Sequence, residues 1–233
     1  MLASINGKIS LSPLESNEIR QKNKFSCQDD VDHLEALVAQ MDCVFIGRES
    51  IECVSNAFSV KHLRKNRQEI PWIIFSKAKK INAAHHFWQQ RDIPKNLFTC
   101  TSFDFAETEK IKNIPVPLGL SKPSENANSV VSDVSLFPDC LHLEGNISEL
   151  FQYLQAQNIH TASLLRGGRL NSSFWKHRLV QTLLLTISPV TARGIVENPL
   201  APSLIDGKDE FFQRLKLRSV TQKSDFIFLN YGT

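Results

Sequence analysis

Paired cysteine motifs are missing from this chain. Its five cysteines, Cys27, Cys43, Cys53, Cys100 and Cys140, are odd in number and widely spaced, with no C-x-x-C among them. That pattern excludes a zinc knuckle and a dithiol redox motif, and points to unbridged thiols in a reducing cytoplasm. Long apolar runs are also missing. Nothing approaches the ~20 residues needed to span a bilayer. The first ten residues carry Asn6, Gly7 and Lys8 where a signal peptide needs an unbroken apolar stretch, so the expectation is a cytoplasmic protein without membrane contact. Charge of one sign is lacking as well. Lys and Arg number 27 against 24 Asp and Glu, for a net charge of +3, too small and too dispersed for a nucleic-acid footprint. Metal-ligand spacing is absent: the adjacent His85 and His86 project in different directions from a strand or a helix and share one metal poorly, and His142, His160 and His177 have no local partners. No metal is expected.

What is present is an alternation of short apolar runs with segments of helical period. The runs CVFIG (43–47), WIIF (72–75), LFTCT (97–101), ASLL (162–165) and LLLTIS (183–188) are bounded by Gly, Pro or charge, as buried strands are. Between them, SCQDDVDHLEALVAQ sets Val31, Leu34, Leu37 and Val38 on one face behind a Ser26 N-cap, and ISELFQYLQAQ repeats the pattern with Leu150, Phe151 and Leu154. Strands alternating with helices imply an α/β fold with a mostly parallel central sheet flanked by helices. The tail RLKLRSVTQKSDFIFLNYG (214–232) alternates on both sides of QKSD and reads as a C-terminal antiparallel hairpin. Residues 121–135 read as a surface loop, so 1–233 form a single domain. The stretch His85-His86-Phe87-Trp88 reads as a surface helix with an embedded aromatic, and Phe174 with Trp175 as core aromatics at a helix start. The basic stretch KHLRKNRQ (61–68) and the segment 103–110 read as solvated.

The run TASLLRGGRLNSSFW (161–175) passes from a strand through Gly167-Gly168 into a helix start. Glycine there permits positive φ and close approach of a ligand, and the N–H groups of a first helical turn attract an anion. By itself the pair is either a plain helix-entry turn or a phosphate cradle.

Four segments occur in the order and spacing of one family: ASINGKIS at the N-terminus, MDCVFIGRES (41–50), LLRGGRLNSSF, and LVQTLLLTISPVTARG (179–194). Over nearly the whole chain this resembles the reductase domain of riboflavin biosynthesis, the C-terminal domain of RibD, which has a dihydrofolate-reductase-like fold. The family pattern reads S-L-D-G-K, then V-G-x-x-T, then E-G-G-G-x-L-N, then L-V-D-E-L followed by I-A-P. The resemblance implies an NADPH-dependent reductase acting on 5-amino-6-(5-phosphoribosylamino)uracil, a phosphorylated pyrimidine, and pairing as a homodimer through sheet edges and neighbouring helices. It implies substrate contacts at Ser4, Asn6 and Lys8, with Lys8 a point charge for the substrate phosphate. It implies cofactor contacts at Gly47, Ser50, Arg166, Gly167, Gly168, Leu170 and Asn171. The sequence holds no P-C-x-x-C to go with an H-x-E, so the deaminase domain often fused ahead of such reductases is not expected in it.

The chain also departs from the pattern. Asn6 stands for the aspartate of the first motif, Ser50 for the threonine of the second, and Val54, Ser55 and Asn56 for a following D-D-P. Arg166 replaces the glutamate of a glycine motif one residue shorter than usual, and VQTL (180–183) replaces V-D-E-L. Carboxylates fix orientation through charge-assisted hydrogen bonds, so their loss supports an alternative: a catalytically degraded relative that binds a nucleotide or a protein partner without turnover.

Overall fold

The computed structural model describes residues 2–9, 17–51, 57–77, 85–102, 140–165, 167–191 and 213–233. Among them the order is β1 (Leu2–Ser4), α1 (Asn17–Lys22), α2 (Gln28–Val38), β2 (Cys43–Gly47), α3 (Arg48–Ile51), a single 3₁₀ turn (Lys61–Leu63), β3 (Trp72–Ser76), α4 (His86–Gln89), β4 (Lys95–Ser102), β5 (Cys140–Asn146), α5 (Ile147–Ala156), β6 (Ala162–Leu165), α6 (Gly168–Lys176), β7 (Thr182–Ser188), β8 (Lys216–Lys223) and β9 (Phe226–Gly232). This is an α/β fold with a mostly parallel sheet, flanking helices and a C-terminal antiparallel hairpin. Contacts divide the chain into two compact units: Met1–Val38, Glu49–Ser55 and Leu164–Thr233 form one, and Ala39–Arg48 and Asn56–Ser163 form the other.

The second unit is built on the sheet of order β5-β4-β3-β2-β6, in which β2/β3, β3/β4 and β4/β5 pair in parallel. Because helices and loops cover both faces of its inner strands, these strands read as unbroken apolar runs. Val44, Ile73, Ile74 and Leu97 are sealed from solvent, each contributing about 1.5–3 kcal/mol by burial. Phe45 meets Phe75 edge-on at 5.3 Å and stacks on Phe151 of α5 at 6.4 Å. Helix α5 opens with a capping box in which Asn146 Oδ1 accepts from Glu149 N and Glu149 Oε2 accepts from Asn146 N, which satisfies two of the amides that a helix start leaves open. Phe87 and Trp88 are buried in α4, whose N-cap His85 accepts from Phe87 N. Within the basic stretch 61–68, Arg64 is not merely solvated: its guanidinium donates to Ala39 O and Met41 O, peptide oxygens that would otherwise face water.

The first unit carries the sheet of order β1-β7-β9-β8. Here β1 runs parallel to β7, and β9 pairs antiparallel with both β7 and β8. The hairpin turns between Lys223 and Phe226, with Ser224 at φ 50°. Helix α2 starts one residue later than the Ser26 cap implies, because Cys27 O takes the bond from Val31 N. Helix α6 buries Phe174 and Trp175, the inward face of its 3.6-residue period.

Three helices end alike. Lys24, Asn158 and Arg178 take positive φ just past α1, α5 and α6, and the amide beyond each reaches back: Phe25 N to Arg20 O, Ile159 N to Leu154 O, Leu179 N to Phe174 O. This is the Schellman closure made without glycine.

Candidate functional site

All the geometry below lies within the first unit unless stated. Strand β1 ends at Ser4, and the chain closes at once into a turn. Ser4 N donates to Lys8 O at 2.8 Å, Gly7 N donates to Ser4 O at 2.9 Å, and Lys8 N donates to Ser4 Oγ at 2.9 Å. Ser4 Oγ in turn donates to Asn6 Oδ1 at 2.7 Å. Gly7 has φ +77° with nothing near the position of a Cβ, so glycine is needed there for backbone conformation and not for space. The three residues that the sequence assigns to substrate, Ser4, Asn6 and Lys8, therefore sit in one locked turn. It stands at the carboxyl end of a parallel strand, where open α/β sheets receive ligands.

The glycine loop opens α6. Gly167 is the N-cap, at φ 91° and ψ 97°, and makes no side-chain capping bond, so the N-cap residue leaves the first amides of the helix to other acceptors. A Cβ on Gly167 would lie 3.0 Å from Ser50 Oγ. That proximity brings together Ser50 and Gly167, which the sequence assigns to the cofactor on separate motifs. Arg169 donates to both oxygens of Glu49 at 3.0 and 3.3 Å, a pair exposed enough to be worth at most about 1 kcal/mol, yet it ties α3 to the first turn of α6. Gly168 is buried and Leu170 half-buried. Asn171 is wholly buried, its amide donating to Gly167 O at 3.0 Å, so it supports the helix start from inside. Gly47 belongs to the second unit, half-buried at the end of β2 opposite Phe75. Arg166, Val54, Ser55 and Asn56 lie outside the described residues.

A second polar group is formed on one face of β7. Thr186 and Ser188, two residues apart and so on the same face, are buried at 4% and 0% exposure. Ser188 pairs in register with Ser4, and Thr186 with Phe228. Helix α2 packs here: His33 meets Phe228 edge-on at 4.8 Å, and the Thr186 hydroxyl hydrogen-bonds the Asp30 carboxyl. Burial pushes that carboxyl above its ordinary range, against the pull of the Thr186 bond, and burial lowers His33. Sequence reading gives Asp30 no role and takes Thr186 only as a residue of the apolar run 183–188. The only signal was a threonine and a serine two apart inside an otherwise apolar run.

The site can be tested for an NADPH cofactor on its own geometry. A glycine at positive φ opens a helix of nine residues and offers its first amides no capping side chain of its own, and a Cβ there would stand 3.0 Å from the Ser50 hydroxyl. That is a cradle suited to phosphate, and the residues fit. Among the described residues, no cluster of His, Cys, Asp or Glu is arranged to hold a metal, and no helix is long and apolar enough to cross a membrane.

Comparison with known proteins adds to this. A family model described as the RibD C-terminal domain matches residues 1–225. No curated protein matches the chain by sequence. A pyrimidine reductase-like protein of Corynebacterium diphtheriae is 18% identical, with 99% of this chain and 88% of that one covered and a TM-score of 0.64. RibD of Acinetobacter baumannii, in its form 2, is 15% identical over 100% of this chain and 56% of its own, with a TM-score of 0.67. The diaminohydroxyphosphoribosylaminopyrimidine deaminase/5-amino-6-(5-phosphoribosylamino)uracil reductase of Thermotoga maritima is 11% identical over 99% and 54%, with a TM-score of 0.64. The chain thus spans about half the length of the last two. At these identities the structures share the fold, and the match to the family model covers nearly every residue. The chain belongs to the RibD C-terminal domain family, of which it is a divergent member.

Proposed function

We propose that this protein is an NADPH-dependent reductase acting on 5-amino-6-(5-phosphoribosylamino)uracil, with residues 1–233 working as one reductase domain in the cytoplasm. The observation that carries this reading is the glycine cradle at the start of α6, where Gly167 at φ 91° leaves only 3.0 Å between the position of a Cβ and Ser50 Oγ. NADPH, when bound, supplies the hydride, and the chemistry is the cofactor's own. The chain's part is positioning. Amides of the first turn of α6 would donate to the cofactor phosphates, Ser50 Oγ hydrogen-bonds beside them, and the locked Ser4–Lys8 turn holds the Lys8 ammonium as a charge for the substrate phosphate. A homodimer is supported by the edge strand β8, which leaves Leu217 and Val220 exposed at 48% and 55%.

The test is a fluorescence titration with NADPH and with NADH, followed by absorbance decay on adding the aminouracil ribosyl phosphate. Binding with consumption of NADPH supports the reductase. Binding without consumption supports a second reading, a relative that retains a nucleotide without turnover. That reading is favoured by the neutral Asn6, whose Oδ1 accepts from Ser4 at 2.7 Å where the family pattern has a carboxylate. Absence of binding by either nucleotide refutes both.

A further inference from the structure

Arg169 stands in the first turn of α6, directly after the glycine pair, and its counter-charge comes from α3. Its Nη1 donates to both Glu49 oxygens at 3.0 and 3.3 Å. Glu49 is followed at once by Ser50, whose Oγ lies 3.0 Å from the position of a Cβ on Gly167. Two consecutive residues of α3 therefore lie against the opening of α6, and one of them is a carboxylate. The negative charge that a helix start favours is here supplied by the chain itself. Both partners stand where the family pattern leaves the residue open, Glu49 at the second x of V-G-x-x-T and Arg169 at the x before L-N, so the pair is a property of this chain and not of the pattern.

Three features make the contact exchangeable. The Arg169 and Glu49 side chains are 78% and 65% exposed, so a ligand can reach both and water screens their attraction. The pairing is also end-on. Among the described residues Nη1 alone is engaged, which leaves Nε and Nη2 as a fork that matches two oxygens of a phosphate. Finally, a diphosphate on the first-turn amides of α6 is doubly anionic: it repels the Glu49 carboxylate and competes with it for the guanidinium.

We infer that Arg169 is a further cofactor-binding residue, which exchanges the Glu49 carboxylate for the diphosphate of the nucleotide. Glu49 is then a built-in competitor that weakens binding. This rests on the proposed reading of the α6 cradle as the nucleotide site and adds to it a latch that the ligand opens. Because NADPH and NADH share the diphosphate, the latch acts on both alike.

The experiment is a fluorescence titration of NADPH and of NADH into wild type, Glu49→Gln, Arg169→Gln and the double variant, alongside urea unfolding of each protein alone. Breaking an exposed pair leaves stability within the range of ordinary surface substitutions, so the four proteins can be compared. Glu49→Gln should bind both nucleotides about two- to fivefold more tightly, the factor by which an exposed ion pair hinders a ligand that must break it. Arg169→Gln should bind both more weakly. Its loss should be about two- to fivefold larger in the Glu49→Gln background, where no pair has to be broken before the arginine meets the phosphate. Unchanged or weaker binding by Glu49→Gln overturns the inference and leaves the reductase reading standing, as do strictly additive effects of the two substitutions. A gain confined to NADPH overturns it too, since the contact would not be to the diphosphate. Wild type binding neither nucleotide overturns the cradle reading and this inference with it.

Discussion

Replacing Gly167 by alanine tests the cradle at its most constrained atom. The native backbone sits at φ 91°, ψ 97°, a region that residues with a Cβ reach only at a cost of about 1–3 kcal/mol. The new Cβ would also stand 3.0 Å from Ser50 Oγ, which forces the serine off its rotamer by about 0.5–1.5 kcal/mol. Against these, alanine loses less backbone entropy than glycine on folding, a gain of about 0.4–1 kcal/mol. The balance is a destabilisation near 2 kcal/mol, or roughly 30-fold in the ratio of folded to unfolded protein. Urea unfolding followed by circular dichroism reads it as a lower midpoint at unchanged slope. Two companions separate the terms. Gly7→Ala meets positive φ, +77°, with nothing within 4 Å of the Cβ, so it carries the backbone strain alone. Ser50→Ala combined with Gly167→Ala removes the close contact and should recover the difference between the two glycine variants. A Gly167→Ala protein within about 0.5 kcal/mol of wild type, the range of ordinary surface substitutions, would show that the loop is not held at positive φ, and the cradle argument would fail. Failure of the double variant to recover anything would remove the Ser50 contact from the account.

Other outcomes follow from the charged and buried groups. Asp42 accepts from His160 N, Thr161 N and Thr161 Oγ1. Partial burial alone would raise its carboxyl, but these bonds outweigh burial and hold it below the usual range. Its stabilisation is present above the unfolded carboxylate value of about 3.9 and is lost as pH falls through the lower folded value. The gap in urea midpoint between wild type and Asp42→Ala should therefore narrow on acidification; a gap that stays constant with pH refutes the assignment. Asp30 is the opposite case. Burial raises its folded carboxyl, so ionising it costs stability at neutral pH. Asp30→Asn should unfold at higher urea than wild type near neutrality, with the advantage fading as pH falls from the raised folded value to the ordinary one. A less stable variant at neutral pH would show that the Thr186 bond outweighs desolvation. Finally, burial and the neighbouring Asp42 charge push the Cys43 thiol up to about 12. Iodoacetamide in mildly alkaline buffer should label Cys43, read by mass spectrometry, only after unfolding.

Much of the fold was legible because burial on both faces leaves a simple trace. CVFIG and WIIF appear as β2 and β3 within a residue of their run boundaries, and ASLL as β6. Strand β5 was not read. As an edge strand it carries Leu141 at 45% exposure beside Leu143 at 8%, and CLHLEGN mixes polar and apolar residues too evenly to stand out. The helix ends at Lys24, Asn158 and Arg178 were hidden for another reason: the left-handed residue is normally glycine, and here backbone closure imposes it on long or polar side chains. Arg64 looked like one more solvated charge until the carbonyls of Ala39 and Met41 were found against its guanidinium.

The sequence by itself determined the class of fold, the family, and the two local devices of the site. Strand runs, the glycine pair and the Ser4–Lys8 turn are short-range features, and their physics is settled within a few residues of chain. Only tertiary structure decided which distant groups meet. It set Ser50 against Gly167, seated Asp30 on Thr186, bound Asp42 to the chain 119 residues on, and left Ser188 buried without a partner beside Ser4. The reason is physical. Burial and hydrogen-bond satisfaction depend on what packs across a sheet, and no period or motif along the chain records which hydroxyl will be used and which will be left unpaired.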